Sequence, residues 1–120
     1  MKNLIFAFCL GALLVGCAGG GRQSLYHWDG EYQKSLYLYL NEEGDINEQI
    51  SSLEKSIAKA EASAKKVPPG LYAHVGLLYN ALGNTAVAKS YFQKEATAFP
   101  QSRGYMEFLL SDKKAKKGAK

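Results

Sequence analysis

The side chains that could take part in catalysis or metal binding are few and scattered. The chain has two histidines, His27 between two aromatic residues and His74 in a stretch of helical character. Three carboxylates, Glu42, Glu43 and Asp45, share one short polar segment, without the ligand spacing of an EF-hand calcium loop. No nucleophile motif, phosphate-binding loop or zinc-ligand pattern occurs. We therefore predict no enzymatic activity, no cofactor and no metal site, and we interpret both histidines as structural or surface residues.

Cys17 is the residue with the clearest predicted chemistry. After Lys2, the twelve residues Leu4 to Val15 are apolar or small, which suits a signal-peptide core and falls short of the ~20 residues of a membrane-spanning helix. The run ends in Leu14-Val15-Gly16-Cys17, which resembles the bacterial lipoprotein box, in which the cysteine thiol accepts diacylglycerol. We predict that residues 1–16 are removed and that acyl chains on Cys17 anchor the protein in the membrane. The alternative is an ordinary signal peptide with an incidental cysteine.

The residue after the cysteine and the charge distribution bear on location and partners. In Gram-negative lipoproteins an aspartate after the cysteine usually means inner-membrane retention, so Ala18 favours the outer membrane, with the domain facing the periplasm. The 120 residues carry a formal net charge of +4. Five lysines lie in the last eight positions, and without these and Lys2 nine basic residues remain against eleven acidic ones. The basic charge therefore belongs to a tail, and we predict no nucleic-acid partner.

The periodicity of apolar residues predicts helices after the aromatic segment 22–30. A first helix is expected over residues 31–40, with Tyr32, Leu36, Tyr39 and Leu40 on one face. Asp45 is a predicted N-cap of a second helix that continues to about Lys66, before two prolines. The stripe of this helix contains Ile46, Ile50, Leu53, Ile57, Ala60 and Ala64. No segment alternates with period two, so no sheet is expected.

Residues 69–100 match the pattern of a tetratricopeptide repeat, an antiparallel helical hairpin. The matching positions are Tyr72, Val75, Gly76, Tyr79, Gly83, Ala88, Phe92 and Pro100. Gly76 and Ala88 are the small residues expected where the two helices touch. Tyr72 and Val75 replace the usual tryptophan and leucine, and Glu95 stands where alanine is usual. The alternative to a tetratricopeptide repeat is an amphipathic helical hairpin of another kind.

The predicted organisation is a signal peptide (1–16), a lipidated tether with an aromatic loop (17–30), a helical domain (31–112) and a disordered basic tail (113–120). A closing helix over residues 102–110 brings the predicted total to about five helices. The fold class is therefore all-α, with tetratricopeptide-like antiparallel hairpins that stack because one hairpin cannot bury its apolar faces alone.

The mature chain also resembles a small family of Gram-negative lipoproteins known only as a domain of unknown function. The resemblance is carried by Leu25-Tyr26-x-Trp28-x-Gly30-x-Tyr32, by the run from Pro68 to Tyr79, and by Phe99-Pro100-x-Ser102. In that family the gene tends to lie beside one for a lipoprotein similar to the curli secretion channel. The resemblance therefore implies an accessory subunit of an envelope assembly, with that lipoprotein as a possible partner. It implies no catalytic residues.

These observations predict an outer-membrane lipoprotein that binds an envelope protein through its helical domain. The first helix of the hairpin should supply a concave binding face that includes Ala73, Leu77 and Asn80, with His74 near its edge. The alternative is a lipoprotein that binds or is linked to peptidoglycan through its basic C-terminal tail. A glycan-stacking role for the aromatic segment 25–39 is a further form of this alternative.

Overall fold

Five α-helices follow one another in the computed structural model, which describes residue 21 and residues 23–118, with side chains up to Ser111. The helices are α1 (Glu31–Leu40), α2 (Ile46–Ala62), α3 (Leu71–Ala81), α4 (Thr85–Ala98) and α5 (Arg103–Gly118), with a 3₁₀ helix (Pro100–Ser102) before α5. These residues contain no strand, only an isolated bridge between Tyr26 and Lys66. The predicted all-α class with about five helices is confirmed.

The starts of the helices follow local sequence signals. The Asp45 carboxylate accepts a hydrogen bond from the Glu48 backbone N–H at 2.8 Å, as predicted for the N-cap of α2. The Asn84 side chain does the same for α4, accepting from the Val87 N–H at 3.3 Å. The residue before α3, Gly70, has a φ of 91° and no side chain to cap the helix. The N-terminus of α3 must therefore find its hydrogen-bond acceptor elsewhere.

Helix α2 ends earlier than predicted, at Ala62 instead of about Lys66. The Ser63 hydroxyl donates to the Lys59 carbonyl at 2.8 Å, and the Lys65 N–H donates to the Ala60 carbonyl at 3.0 Å. Ala64 adopts a left-handed φ of 54° between them. The Ser63 side chain and the backbone thus close the last turn several residues before the two prolines. Ala64 is consequently exposed and does not continue the buried stripe.

The tightest contact in the fold joins α3 to α4. A Cβ placed on Gly76 would lie 2.6 Å from Cε1 of Phe92 and 3.2 Å from the carbonyl oxygen of Ala88. Only a residue without a side chain fits there without displacing the phenylalanine ring. The predicted close contact between Gly76 and Ala88 is confirmed, and so is the antiparallel hairpin, whose turn includes Gly83 with a φ of 79°.

Two hydrophobic clusters hold the helices in chain order. The first, between α1, α2 and α3, contains Ile50, Leu53, Ile57, Ala60, Val67, Leu71, Val75 and Leu78, with Tyr32 and Tyr39 packed against it. The second, between α3, α4 and α5, contains Ala73, Ala88, Phe92 and Met106. Helix α3 contributes to both clusters, whereas α1 contributes only to the first and α5 only to the second. Helices α1 and α5 are therefore the two ends of the stack.

The two end helices depart from the sequence prediction. Tyr32 and Tyr39 of α1 are half-buried, but Leu36 and Leu40, predicted on the same face, remain 37% and 71% exposed. Ser35 is the buried residue of this helix, because the side of α1 that meets α2 and α3 is centred on it. Helix α5 extends past the predicted end at Leu110, to Gly118, because lysine and alanine favour helix and no glycine or proline interrupts the run. The predicted tail thus continues this helix through residue 118, and residues 119–120 lie outside the described part.

Candidate functional site

The predicted lipidation site and the predicted binding face have different outcomes. Cys17 and the signal peptide 1–16 lie outside the described residues, so the structure does not bear on them. Ala73 is only 8% exposed and packs with Ala88, Phe92 and Met106 in the second cluster. Leu77 and Asn80 are half-buried, and Leu77 packs against the same cluster. Ala73 is therefore buried beside residues of α4 and α5, whereas Leu77 and Asn80 keep part of their surface exposed. Partner binding by these three residues stays a prediction.

His74 lies inside the fold, not at the edge of a binding face. It is 2% exposed, and its Nε2 lies 2.9 Å from the Ser35 hydroxyl oxygen. Ser35 Oγ in turn lies 2.8 Å from Oε1 of Gln49, and Gln49 Nε2 donates to the Glu43 carbonyl at 3.3 Å. This chain of polar contacts ties α3 to α1, α2 and the turn between them.

The direction of each hydrogen bond in this chain follows from its far end. Because the Gln49 amide nitrogen donates to the backbone, its oxygen is left to accept the Ser35 hydroxyl proton. The Ser35 oxygen then accepts from His74, which must carry its proton on Nε2. His74 Nδ1 is left as a buried acceptor with no partner among the described residues. A serine whose proton points away from the histidine is not arranged as a nucleophile with its general base.

Burial keeps the imidazole of His74 neutral. Desolvation lowers its pKa from 6.5 to about 4, and the hydrogen bond with Ser35 opposes this only in part. The ring packs against Tyr39 at 5.4 Å in an edge-on arrangement and against Tyr32 at 5.7 Å between ring centroids. The far side of Ser35 and Gln49 borders a polar cavity of about 120 Å³ next to the α1–α2 turn. The arrangement is that of a structural polar network between three helices.

Glu95 of α4 supplies the hydrogen-bond acceptor for the N-terminus of α3, where no neighbouring side chain does so. It is 3% exposed, and its Oε1 accepts from the Gly70 backbone N–H at 2.7 Å. Burial raises the pKa of the Glu95 carboxyl, and the backbone N–H groups of Gly70, Ala73 and Tyr72 act against this shift. The carboxylate also faces the positive end of the α3 dipole. Glu95 marked a departure from the repeat pattern in the sequence, but its partner lies 25 residues away, so its role could not be recognised there.

A second carboxylate, Glu54 of α2, binds two tyrosines of the α3–α4 hairpin. Its Oε1 accepts from the Tyr79 hydroxyl at 2.7 Å and from the Tyr91 hydroxyl at 3.0 Å. The two tyrosine rings stack at 5.6 Å, and Lys94 Nζ lies 4.8 Å from the centre of the Tyr91 ring. The hydrogen bond to Glu54 is the main cause that raises the pKa of Tyr79 to about 12, and burial is the main cause that raises the pKa of Tyr91. Sequence reasoning missed this cluster because its members lie on three helices.

The remaining candidates for metal chemistry stay apart. His27 Nε2 lies 3.4 Å from the Asp29 carboxylate within the loop before α1. Glu42, Glu43 and Asp45 are exposed, and Asp45 is engaged as the N-cap of α2. Among the described residues, no three histidine, cysteine, aspartate or glutamate side chains are grouped so that they could hold a metal ion. Nor does this part of the chain contain a helix with the length and apolar character needed to cross a membrane.

Large apolar side chains are exposed at both ends of the helix stack. The α5 end face consists of Tyr105 and Phe108, which are 57% and 58% exposed and stack on each other at 6.3 Å. The α1 end face consists of Leu36, Tyr37 and Leu40, of which Tyr37 is 62% exposed. Both sets lie within one side of their helix by spacing. Exposed apolar side chains grouped on one side of a helix are candidates for a contact with another macromolecule.

Comparison with known proteins gives a family but no characterised relative. A family model described as Domain of unknown function (DUF4810) matches residues 25–109, the same span that contains the aromatic loop and all the contacts described above. No curated protein and no solved structure matches the chain.

Proposed function

The chain belongs to the family described as Domain of unknown function (DUF4810), and we propose that it is an outer-membrane lipoprotein that binds other envelope proteins through its helical domain. The observation that carries this proposal is the pair of exposed apolar faces at the two ends of the stack. Phe108 is 58% exposed and Leu40 is 71% exposed, each on one of the two terminal helices and each beside another exposed aromatic side chain. A partner that covers these faces would remove them from water.

The α3–α4 hairpin supports a tetratricopeptide-like scaffold for this role. Gly76 meets Phe92 and Ala88 at the positions where the repeat pattern requires close helix contact. Pro100 follows the second helix of the pair and begins the 3₁₀ turn that leads into α5. Stacked helical hairpins bury their faces against neighbouring hairpins, and the terminal ones end in polar caps when no partner follows. The end faces here are apolar, which favours protein contacts beyond both ends.

The location rests on the N-terminal sequence. The short apolar run and Leu14-Val15-Gly16-Cys17 favour lipidation of Cys17, and Ala18 favours the outer membrane. A chain anchored there would hold its helical domain close to other envelope lipoproteins. The lipoprotein similar to the curli secretion channel, which the family resemblance suggests as a gene neighbour, is the first partner to examine.

Site-specific photo-crosslinking in cells tests the proposal. A photoreactive phenylalanine analogue is placed at Phe108 or at Tyr37 of the full chain, and the matched control carries it at Lys89, an exposed position on α4. We expect covalent adducts with another envelope protein from at least one end face and none from position 89. Mass spectrometry identifies the adduct. If neither end face yields an adduct that contains another envelope protein, the proposed function is wrong.

A further inference from the structure

The two end faces differ in the charge that surrounds them. The α1 end face is followed by the exposed turn that carries Glu42, Glu43 and Asp45. The α5 end face is followed, along the same helix, by four lysines in its last two turns, Lys113, Lys114, Lys116 and Lys117. Residues 31–45 contain four acidic residues and one basic residue, Lys34, whereas residues 103–118 contain five basic residues and two acidic ones, Glu107 and Asp112. The α1 end therefore has a net negative charge and the α5 end a net positive charge.

The faces also differ in where they lie. Because α1 belongs only to the first hydrophobic cluster and α5 only to the second, the two faces are at opposite ends of the stack and can be occupied at the same time. Contact of like faces would bring acidic segment to acidic segment or lysine run to lysine run, which disfavours a symmetric dimer. Contact of unlike faces pairs apolar surface with apolar surface and acidic charge with basic charge.

We propose that a second copy of this chain is the partner at each junction, with the α5 end face of one copy docked on the α1 end face of the next. This inference rests on one part of the proposed function, namely that the two end faces make contacts with proteins. Tyr105 and Phe108 pack against Leu36, Tyr37 and Leu40, and the net positive charge of the α5 end meets the net negative charge of the α1 end. The contact is heterologous, because it joins two different faces. A dimer therefore has a free α1 end face on one copy and a free α5 end face on the other, and further copies can add to both.

A head-to-tail contact makes a prediction that a symmetric contact does not. Leu40→Arg damages only the α1 end face, and Phe108→Arg damages only the α5 end face. In either variant alone, every head-to-tail junction contains one damaged face, whereas a mixture of the two variants can form one junction between two intact faces. In that junction, α5 of the Leu40→Arg chain meets α1 of the Phe108→Arg chain.

The test is co-purification of two differently tagged full chains that are produced in the same cells and crosslinked with formaldehyde before extraction. We expect capture between wild-type copies, a decrease of about tenfold or more for each variant paired with itself, as for loss of a central interface residue, and recovery when the two variants are paired. Recovered product should be dimeric, without the longer species of the wild type. Leu82→Arg, at an exposed leucine in the α3–α4 turn, is the matched control and should capture itself normally.

Circular dichroism melts of all variants check that the fold is intact. Absence of capture between wild-type copies, or failure of the mixed pair to recover while both variants fold, overturns the proposal. These outcomes leave the proposed function standing if the end faces crosslink to another envelope protein. Conversely, capture of copies with no other protein in the adducts supports this inference and contradicts the proposed function.

Discussion

At the scale of single residues, the unexpected feature is a set of polar side chains inside a small core. Ser35, Gln49, His74 and Glu95 are all less than a tenth exposed. Burying such groups costs free energy unless each one is hydrogen bonded. Three of them form one continuous chain, and Glu95 bonds the start of α3. Their hydrogen bonds join α1, α2 and α4 to α3, so these residues help to specify how the helices pack.

The buried neutral state of His74 predicts a pH dependence of stability. The pKa of His74 is lowered from 6.5 to about 4 in the fold, so the unfolded chain binds a proton in an interval where the folded chain does not. The free energy of unfolding should therefore decrease as the pH falls from about 6.5 to about 4, by about 1–3 kcal/mol in total. Above the ordinary histidine pKa, neutral His74 contributes its full stabilisation.

Thermal melts of the wild type and of His74→Gln, at about pH 7 and about pH 4.5, isolate this contribution. The variant cannot acquire the charge, so the advantage of the wild type at the higher pH should shrink at the lower pH. Carboxylates titrate in both proteins alike and cancel in the difference. An equal gap in melting temperature at both pH values would contradict a buried neutral histidine.

At the scale of helices, the α3–α4 hairpin is the best-defined unit. Gly76 allows the two backbones to approach, Phe92 fills the space beside it, and Glu95 from α4 bonds the N-terminus of α3. Glu54 adds a contact from α2 to a tyrosine on each helix of the hairpin. The hairpin is therefore fixed at its beginning, its middle and its outer side by contacts of different kinds.

Two glycine-to-alanine substitutions separate close packing from helix propensity. Gly76→Ala places a Cβ 2.6 Å from the Phe92 ring, whereas a Cβ on Gly104 of α5 meets nothing within 4 Å. Both changes should increase stability by up to about 1 kcal/mol through helix propensity. Only Gly76→Ala also loses stability through overpacking. Denaturant melts should show Gly76→Ala less stable than Gly104→Ala by about 1–3 kcal/mol. Equal stabilities of the two variants would contradict a close contact between α3 and α4 at Gly76.

At the scale of the whole molecule, the features that matter lie at its two termini. The predicted anchor, Cys17, precedes the described domain, and four lysines lie in the last two turns of α5. The body between them contains more acidic than basic residues. We therefore expect one terminus to determine location and the other to influence association.

Substitution of the predicted anchor tests the location. Cys17→Ser removes the thiol that would accept diacylglycerol, so the product should remain uncleaved or appear as a soluble periplasmic form. Membrane fractionation and intact mass of the wild type and the variant provide the measurement. Cys17→Ala serves as a second variant that lacks any nucleophile. A Cys17→Ser chain of normal mature mass in the outer membrane would contradict lipidation.

Deletion of residues 113–120 tests the role of the lysine run. The apolar residues of α5 that pack on the second cluster, Met106, Leu109 and Leu110, are retained, so the deletion should leave folding and localisation unchanged. Self-association should decrease a few-fold and lose its dependence on salt, because exposed charge pairs are weak and screened.

The same deletion distinguishes the peptidoglycan alternative. A covalent link through the terminal Lys120 would retain the protein in purified sacculi until muramidase digestion. Replacement of that residue alone, Lys120→Ala, would then abolish the retention while leaving the other lysines in place. We expect no such retention in the wild type, and its observation would make the protein a wall tether.

Much of this protein is determined locally by its sequence. The boundaries of α1, the Asp45 cap, the α3–α4 hairpin and the contact at Gly76 follow from periodicity, capping residues and small residues at fixed spacing, all of which act within a few turns of the chain. These signals specify which residues share a face of a helix. They do not specify what covers that face.

The tertiary structure decided which helix faces are covered, because local signals do not specify what packs on them. Ala73 has the spacing of an open face, but it is buried in a cluster with Ala88 and Phe92 of α4 and Met106 of α5, residues that lie farther along the chain. Ser35 and His74 meet across 39 positions, and Glu95 reaches Gly70 across 25. Such contacts depend on how whole helices are placed, and the free energy that places them comes from burying both clusters together. The sequence therefore determined the helices and the predicted anchor, and packing determined which side chains remain exposed for partners.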